Sequence, residues 1–482
     1  TRCSHVTGVQ TCALPIFDLS QVGSLEEMIE VMKKRAAETP KGEWIKGVNF
    51  DQTKWSENRF PTLGEMDDIS TEHPVIIKRC CLHAVVANSA ALKKAGIVKN
   101  YDAGTGGIVE LDEEGMPNGI LREQSTKVFD DILPDALQNK DLQRKILSEV
   151  MSDMSSKGIT AIHTYAAKIW QYNEDINIYK VFEEKGELPV RVTVCIDELF
   201  EPELITEEKL HDPFRKTQLG AYKIFSDGSM GSRSAALEEP YSDDPDNAGF
   251  VLFTQEELNN KIYTGYKRGL QPAIHAIGDR ALHMTLTAIE YTLEKTLEEG
   301  MTKEEQDNRL PFRIIHVQMA DKKTIARMRK LPLILDIQPI FMCTDLHWIE
   351  DRIGKDRLPS SFALKSMQDA GLMQTGGSDC PVETYEPLKG IYAAVTRQDM
   401  EGRPQEGFLP EERLSVYEAL CMFTKNVHYA TGQEDVLGTL SIGKFADLTV
   451  LNEDIFKIEL SGIKDIKVCQ TYVAGECTYM VQ

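Results

Sequence analysis

The chain has 482 residues, 41% of them hydrophobic and 27% charged, enough to enclose a large core in one big domain with additions. Its 54 lysines and arginines stand against 76 aspartates and glutamates, a formal charge of −22, which argues against nucleic acid because polyanion binding needs concentrated Lys and Arg. No stretch approaches the ~20 apolar residues of a membrane span, and ten cysteines without a CxxC or a regular spacing read as a reducing, cytoplasmic setting with neither a zinc ribbon nor a disulfide framework.

The first residues, TRCSHVTGVQTCALPI, lack periodicity and caps, and no charged n-region leads into an apolar h-region, so they are not a signal peptide. The string VTGVQTCALPI resembles a translated sequencing adapter joined to an incomplete gene. Residues 1–16 are therefore expected to be foreign, with native sequence from near Phe17. An amphipathic helix follows over 25–37, then GEWIKG, an apolar run PVIIK at 74–78, and a helix in NSAALKKAG with Asn88 or Ser89 as N-cap and Gly96 just past its end. Two extended runs, 107–111 and 118–121, flank DEEGMP and read as a hairpin. Strands joined so tightly cannot belong to consecutive βα units, so 56–124 is expected to be an insertion. A long helix over 142–155 completes this part.

Apolar runs that end in small or loop residues then recur. GITAIH at 158–163 and VRVTVCI at 190–196 make two strands, followed by AYKIF, PAIH, FRIIH, LILDI and the segment GGSD. Lys223, His275, His316 and Asp379 sit at the ends of four of these, at intervals of 52, 41 and 63 residues. A βα unit needs at least ~30 residues, so the four fit strands 4, 5, 6 and 8 of an α/β fold, a (β/α)₈ TIM-like barrel, whose C-terminal rim carries active sites. Strand 1 is unaccounted for. Helices over 388–396 and 415–431 close the barrel, and strands at 446–451 and 466–473 suggest a small β domain. The expected division is 1–16 foreign, 17–437 barrel with its insertion, and 438–482 part of a β-sandwich.

Each of these residues has a plainer reading. A strand-end histidine is more often a hydrogen-bonded core residue than a ligand, Lys223 between apolar neighbours could snorkel, and Asp379 could cap the next turn. Their ordered company favours a metal site. His163, ending its strand, is a candidate for contacting substrate or supporting a ligand, against simple packing. His83, on the insertion, is a candidate for the mouth of the site. The small-residue loop 227–233 is expected to be mobile over the pocket, with Arg233 a candidate for a substrate carboxylate against an ordinary ion pair.

The segments GEWIKGVNFDQTKW, HAVVANSAALKKAGI, GGIVELDEEGMPNGILRE, GITAIHT, YKIFSDGSMGSRSAAL, HAIGDRAL, RIIHVQ, GGSDCPVE and GTLSIGKFADLTVLNED, in this order, resemble the amidohydrolase superfamily, and within it the YtcJ-like amidohydrolase family 3. The resemblance runs from near Phe17 to the C-terminus. It implies that Lys223 is a carboxylated lysine bridging two divalent ions, most naturally Zn²⁺, that His275 and His316 bind the second, and that Asp379 binds the first and shuttles protons. Neutral imidazoles and anionic oxygens suit zinc, and a metal brings the pKa of water to about 7. The implied activity is hydrolysis of non-peptide carbon–nitrogen bonds in a small-molecule amide or N-acyl substrate. The alternatives are a phosphoester or lactone hydrolase on the same platform, or a non-catalytic ligand-binding relic.

One departure matters. The family ends strand 1 in a His-x-His pair, and no His-x-His occurs in this chain. The sequence therefore reads as an amidohydrolase body without its front, able to hold one ion or none, and impaired in activity. Self-association into a homo-oligomer is left open.

Overall fold

The computed structural model describes residues 16–104, 106–133, 140–165, 178–197, 212 and 214–481, so most of the segment expected to be foreign lies outside the described residues. The chain divides into two compact units, residues 1–146 and 147–482.

The first unit is built on a six-stranded sheet, β1 (Ile16–Asp18), β2 (Ile45–Phe50), β3 (Val75–Arg79), β4 (Ala84–Ala87), β5 (Gly107–Leu111) and β6 (Pro117–Glu123), in the order β1-β2-β3-β4-β6-β5. The first three strands are parallel and the rest antiparallel. The sheet thus reaches outside 56–124 and takes in β1 and β2, because Ile45, Val75, Ile77 and Val86 share one core with Met28 and Met32 of the helix Leu25–Glu38. That helix starts where Ser24 caps Glu27 N. Asn88 caps the helix Ser89–Lys94 as its sequence suggests, and Gly96 takes φ +69°.

The second unit carries the seven parallel strands β7 (Ala161–Tyr165), β8 (Arg191–Asp197), β9 (Thr217–Phe225), β10 (Pro272–Ala276), β11 (Phe312–His316), β12 (Leu333–Ile337) and β13 (Met373–Gly376). They follow one another in sequence order across the sheet, the arrangement of a TIM-like α/β barrel. Among the described residues the sheet stays open, with β7 and β13 at its edges. Both faces are covered, which is why the strands read as near-continuous apolar runs. Outward residues such as Ile224, Ile274, Ile314 and Leu335 pack in the main core, where truncating one to alanine costs about 2–5 kcal/mol. Inward, Cys195, Ala221, Ala273 and Ile315 form a compact inner cluster.

Two expectations change. The helix expected over 415–431 is two, Val416–Phe423 and Lys425–Ala430, broken at Thr424, whose φ −131° and ψ −96° are not helical. The loop expected to be mobile is instead packed: Asp227, Ser229, Met230, Ser232 and Ser234 are buried, and the Ser229, Ser232 and Ser234 hydroxyls bond one another at 2.6–2.7 Å.

The C-terminal strands β14 (Leu448–Leu451), β15 (Val468–Val473) and β16 (Glu476–Met480) form an antiparallel sheet. It is tied to the start of the barrel by Asp447, which pairs with Arg191 at 2.7 Å, by Thr449 Oγ1 donating to Gly158 O at 2.7 Å, and by Thr471 Oγ1 donating to Ser155 O at 2.7 Å. No helix among the described residues is long and apolar enough to cross a membrane.

Candidate metal and catalytic site

Side chains alternate along a strand, so the register decides what faces inward. Lys223 and Arg313 both stand in register with Ala273, and His275 lies one inward step further along β10. On β11 the inward positions are Arg313 and Ile315, so simple alternation would turn His316 outward. It does not, because the backbone leaves the strand there. His316 has φ +77° and Val317 φ +48°, and Val317 N–H reaches back to Ile315 O at 3.2 Å and across to Ala276 O at 3.1 Å. A γ-turn centred on a non-glycine residue is strained, and this one sets the His316 ring 4.6 Å, centroid to centroid, from His275.

Both rings are held by their Nδ1 atoms. His275 Nδ1 donates to Asp227 Oδ1 at 2.9 Å, and His316 Nδ1 donates to Gln338 Oε1 at 2.6 Å. The Gln338 amide cannot be reversed cheaply, because its Nε2 donates to Asp336 O at 3.0 Å. Each Nε2 is left with the lone pair, the tautomer a metal-ligating imidazole needs. Phe225 lies 5.5 Å from His275, and Phe341 stacks on His316 at 5.7 Å.

Lys223 is buried, and its Nζ lies 4.6 Å from the Phe225 ring centre. Burial lowers its pKa to about 8, against the upward pull of Asp379 and Asp336. Asp379 follows β13 on an exposed turn at φ +55°. The structure thus brings Lys223, His275 and His316 to neighbouring strand ends, with the Asp379 charge acting on Lys223. Among the described residues, no three His, Cys, Asp or Glu side chains form a ready metal cage. The donor set fits a divalent ion through two oriented imidazoles, with the Asp379 carboxylate near enough for its charge to act on Lys223.

His163 lies in a polar network inside the barrel. Its Nδ1 accepts from Arg313 Nη2 at 3.2 Å, Arg313 Nε pairs with Asp336 Oδ2 at 2.7 Å, and Thr375 Oγ1 donates to Asp336 Oδ1 at 2.7 Å. Burial first, then the Arg313 charge, hold the imidazole well below its ordinary pKa, so it stays neutral. Arg233 gives Nε and Nη2 to Asp243 at 3.1 and 2.9 Å, a bidentate pair that Arg352 joins. His83 belongs to the first unit, where Nδ1 meets Glu123 Oε2 at 2.6 Å.

Asp227, Gln338, Arg313 and Asp336 escaped sequence reasoning. The last two carried a signal, a charge inside an otherwise apolar strand in FRIIH and LILDI; Asp227 and Gln338, in loops, carried none.

A model of the amidohydrolase family matches residues 4–479. The chain is 32% identical over 466 residues to the Bacillus subtilis protein YtcJ, covering 96% of this chain and 84% of that one. It is 26% identical over 469 residues to the N-substituted formamide deformylase of Arthrobacter pascens, covering 95% and 83%. Among solved structures, a metal-dependent hydrolase from Pyrococcus horikoshii superposes with a TM-score of 0.66 at 25% identity, over 92% of this chain and 83% of that one.

Proposed function

The chain belongs to the amidohydrolase family and is a metal-dependent hydrolase, and from that premise we propose that it cleaves non-peptide carbon–nitrogen bonds of amide or N-acyl small molecules at Lys223, His275, His316 and Asp379. The observation that carries this reading is the pair His275 and His316, 4.6 Å apart and both turned to the metal-binding tautomer. The name of the Arthrobacter pascens relative puts N-formyl amines first among candidate substrates.

Zinc is the ion these nitrogen and oxygen donors suit, and it supplies the Lewis acidity that makes water a nucleophile at neutral pH. Lys223, with a pKa near 8, is partly neutral at physiological pH. The ammonium form gives up one proton to become the neutral amine, and the amine would add CO₂ with loss of a second proton to form an anionic carbamate, whose oxygens could then serve as ligands. Asp379 takes a proton from the attacking water and gives it to the departing amine, base then acid. The network of His163, Arg313 and Asp336 keeps a neutral imidazole on the inner wall, a surface for substrate rather than a proton source. Because no His-x-His pair occurs in these 482 residues, we expect one ion or none per chain and a rate reduced accordingly.

The test loads the full chain with Zn²⁺ and measures amine release from N-formyl and N-acyl amines, with a lactone and a phosphoester alongside. Amine release that disappears in His275→Ala and Lys223→Ala supports the reading. Turnover of only the lactone or the phosphoester would move the assignment to that chemistry, and zinc binding without turnover would make the chain a ligand-binding relic.

A further inference from the structure

The segment Ser226-Asp227-Gly228 follows β9 directly, and the Asp227 side chain is wholly buried. Four donors converge on its two oxygens. Oδ1 accepts from His275 Nδ1 at 2.9 Å and Ile277 N at 3.1 Å, and Oδ2 accepts from Gly278 N at 2.9 Å and Ala236 N at 3.1 Å. A carboxylate has about four lone-pair sites, whereas a carboxamide offers two and adds two N–H donors of its own. Asparagine therefore cannot serve these donors in either orientation.

The other candidate ligand is held differently. His316 leans on Gln338, a neutral amide, and stands on the strained turn at the end of β11. His275 leans on an anion and stands on regular strand, its end tied down by the Gly278 amide. The space around Gly278 is closed as well, since a Cβ there would lie 1.9 Å from Ala236 O.

We propose that Asp227 is a positioning residue of the metal site: through Oδ1 it keeps the proton of His275 on Nδ1 and the lone pair on Nε2, and through Oδ2 it fixes the strand end that carries the ring. It follows that His275 is the firm anchor for the ion and His316 the yielding one, so the site depends more on Asp227 than on Gln338. This rests on the reading of His275 as a metal ligand.

Two measurements on the full chain test it. The first strips the protein with a chelator and titrates it with Zn²⁺ alone, in competition with a chromophoric chelator, comparing the unaltered chain with Asp227→Asn, Gln338→Leu and His275→Ala. Zinc affinity should fall about 10–100-fold in Asp227→Asn, close to His275→Ala, and by less in Gln338→Leu. The second records ¹⁵N-histidine spectra of the metal-free protein, with His275→Ala assigning the resonance, and should find His275 protonated on Nδ1. Unchanged zinc affinity in Asp227→Asn, beside a loss in His275→Ala, would overturn the proposal. So would a His275 of the unaltered chain protonated on Nε2, which decides the matter even if Asp227→Asn does not fold. Should the unaltered chain bind no zinc, the metal reading fails by itself. The spectra then still judge Asp227: a proton that leaves Nδ1 in Asp227→Asn supports its role, and one that stays refutes it.

Discussion

Lys223 on β9 and Arg313 on β11 are in register with the same residue, Ala273 of β10, so two cationic side chains of the barrel interior flank one alanine. Arg313 is tied to Asp336 at 2.7 Å, and its charge adds to the burial that lowers the Lys223 pKa. The arrangement keeps a permanent cation where it is neutralised and a removable one where the proposed carboxylation needs a neutral amine.

Lys223 should weaken the metal-free fold. Its amine titrates near 8 in the folded chain against 10.5 unfolded, so burying the cation opposes folding in full below pH 8, and the penalty fades as pH rises towards 10.5. Replacing Lys223 by Met is expected to stabilise the metal-free chain at pH 7 by about 1–3 kcal/mol, to flatten the pH dependence between 8 and 10.5, and to abolish turnover. Urea denaturation across that range checks it; a destabilised Lys223→Met would contradict the account.

Breaking the Arg313–Asp336 pair from one side should leave a buried charge uncompensated. Asp336→Leu is expected to cost about 3–5 kcal/mol, and the double change Arg313→Met with Asp336→Leu to recover much of that loss. Denaturant midpoints of the singles and the double decide the point, since simple additivity would mean the pair is not coupled.

Acid should act through His428. Burial first holds this imidazole at about 4 in the folded chain against 6.5 unfolded, so stability is lost as pH falls from 6.5 to 4, by about 3 kcal/mol at most. His428→Gln should remove that part of the slope. An unaltered acid limb in the variant would place the titration elsewhere.

Gly278 has an ordinary φ of −76° and no strain to relieve; what it lacks is room. The added methyl of Gly278→Ala would press on Ala236 O at 1.9 Å and Ala236 N at 2.8 Å, both backbone, so a cost of about 1–3 kcal/mol or more is expected. Zinc affinity should drop with it, because a displaced Gly278 would also loosen its N–H bond to Asp227 Oδ2, which ties down the end of β10. A variant as stable and as zinc-avid as the original would show that the strand end tolerates movement.

The strand-end positions of the candidate site were legible because a parallel barrel buries both faces of its strands. Lys223, His275 and His316 interrupt apolar runs, and the spacing between runs allowed one βα unit each. The hairpin of β5 and β6 was legible from DEEGMP between two extended runs. What the sequence concealed is non-local. Asp227 and His275 are 48 residues apart and His316 and Gln338 are 22 apart, and neither partner stands in a pattern of its own. The γ-turn at His316 was equally hidden, since it uses no glycine to announce it. In the first unit, β1 and β2 join the sheet through tertiary packing that a local reading of 56–124 as a separate insertion leaves out.

The ties between the C-terminal sheet and the start of the barrel bear on how the chain is made. Arg191 and Asp447 are 256 residues apart, and Ser155 and Thr471 are 316 apart. At about 5–20 residues per second, translation separates their emergence by some tens of seconds. Throughout that interval Arg191 waits for the Asp447 carboxylate and the Ser155 carbonyl for the Thr471 hydroxyl. The ties between the barrel's start and the C-terminal sheet are therefore long-range contacts that close late, after the strands between them have been made.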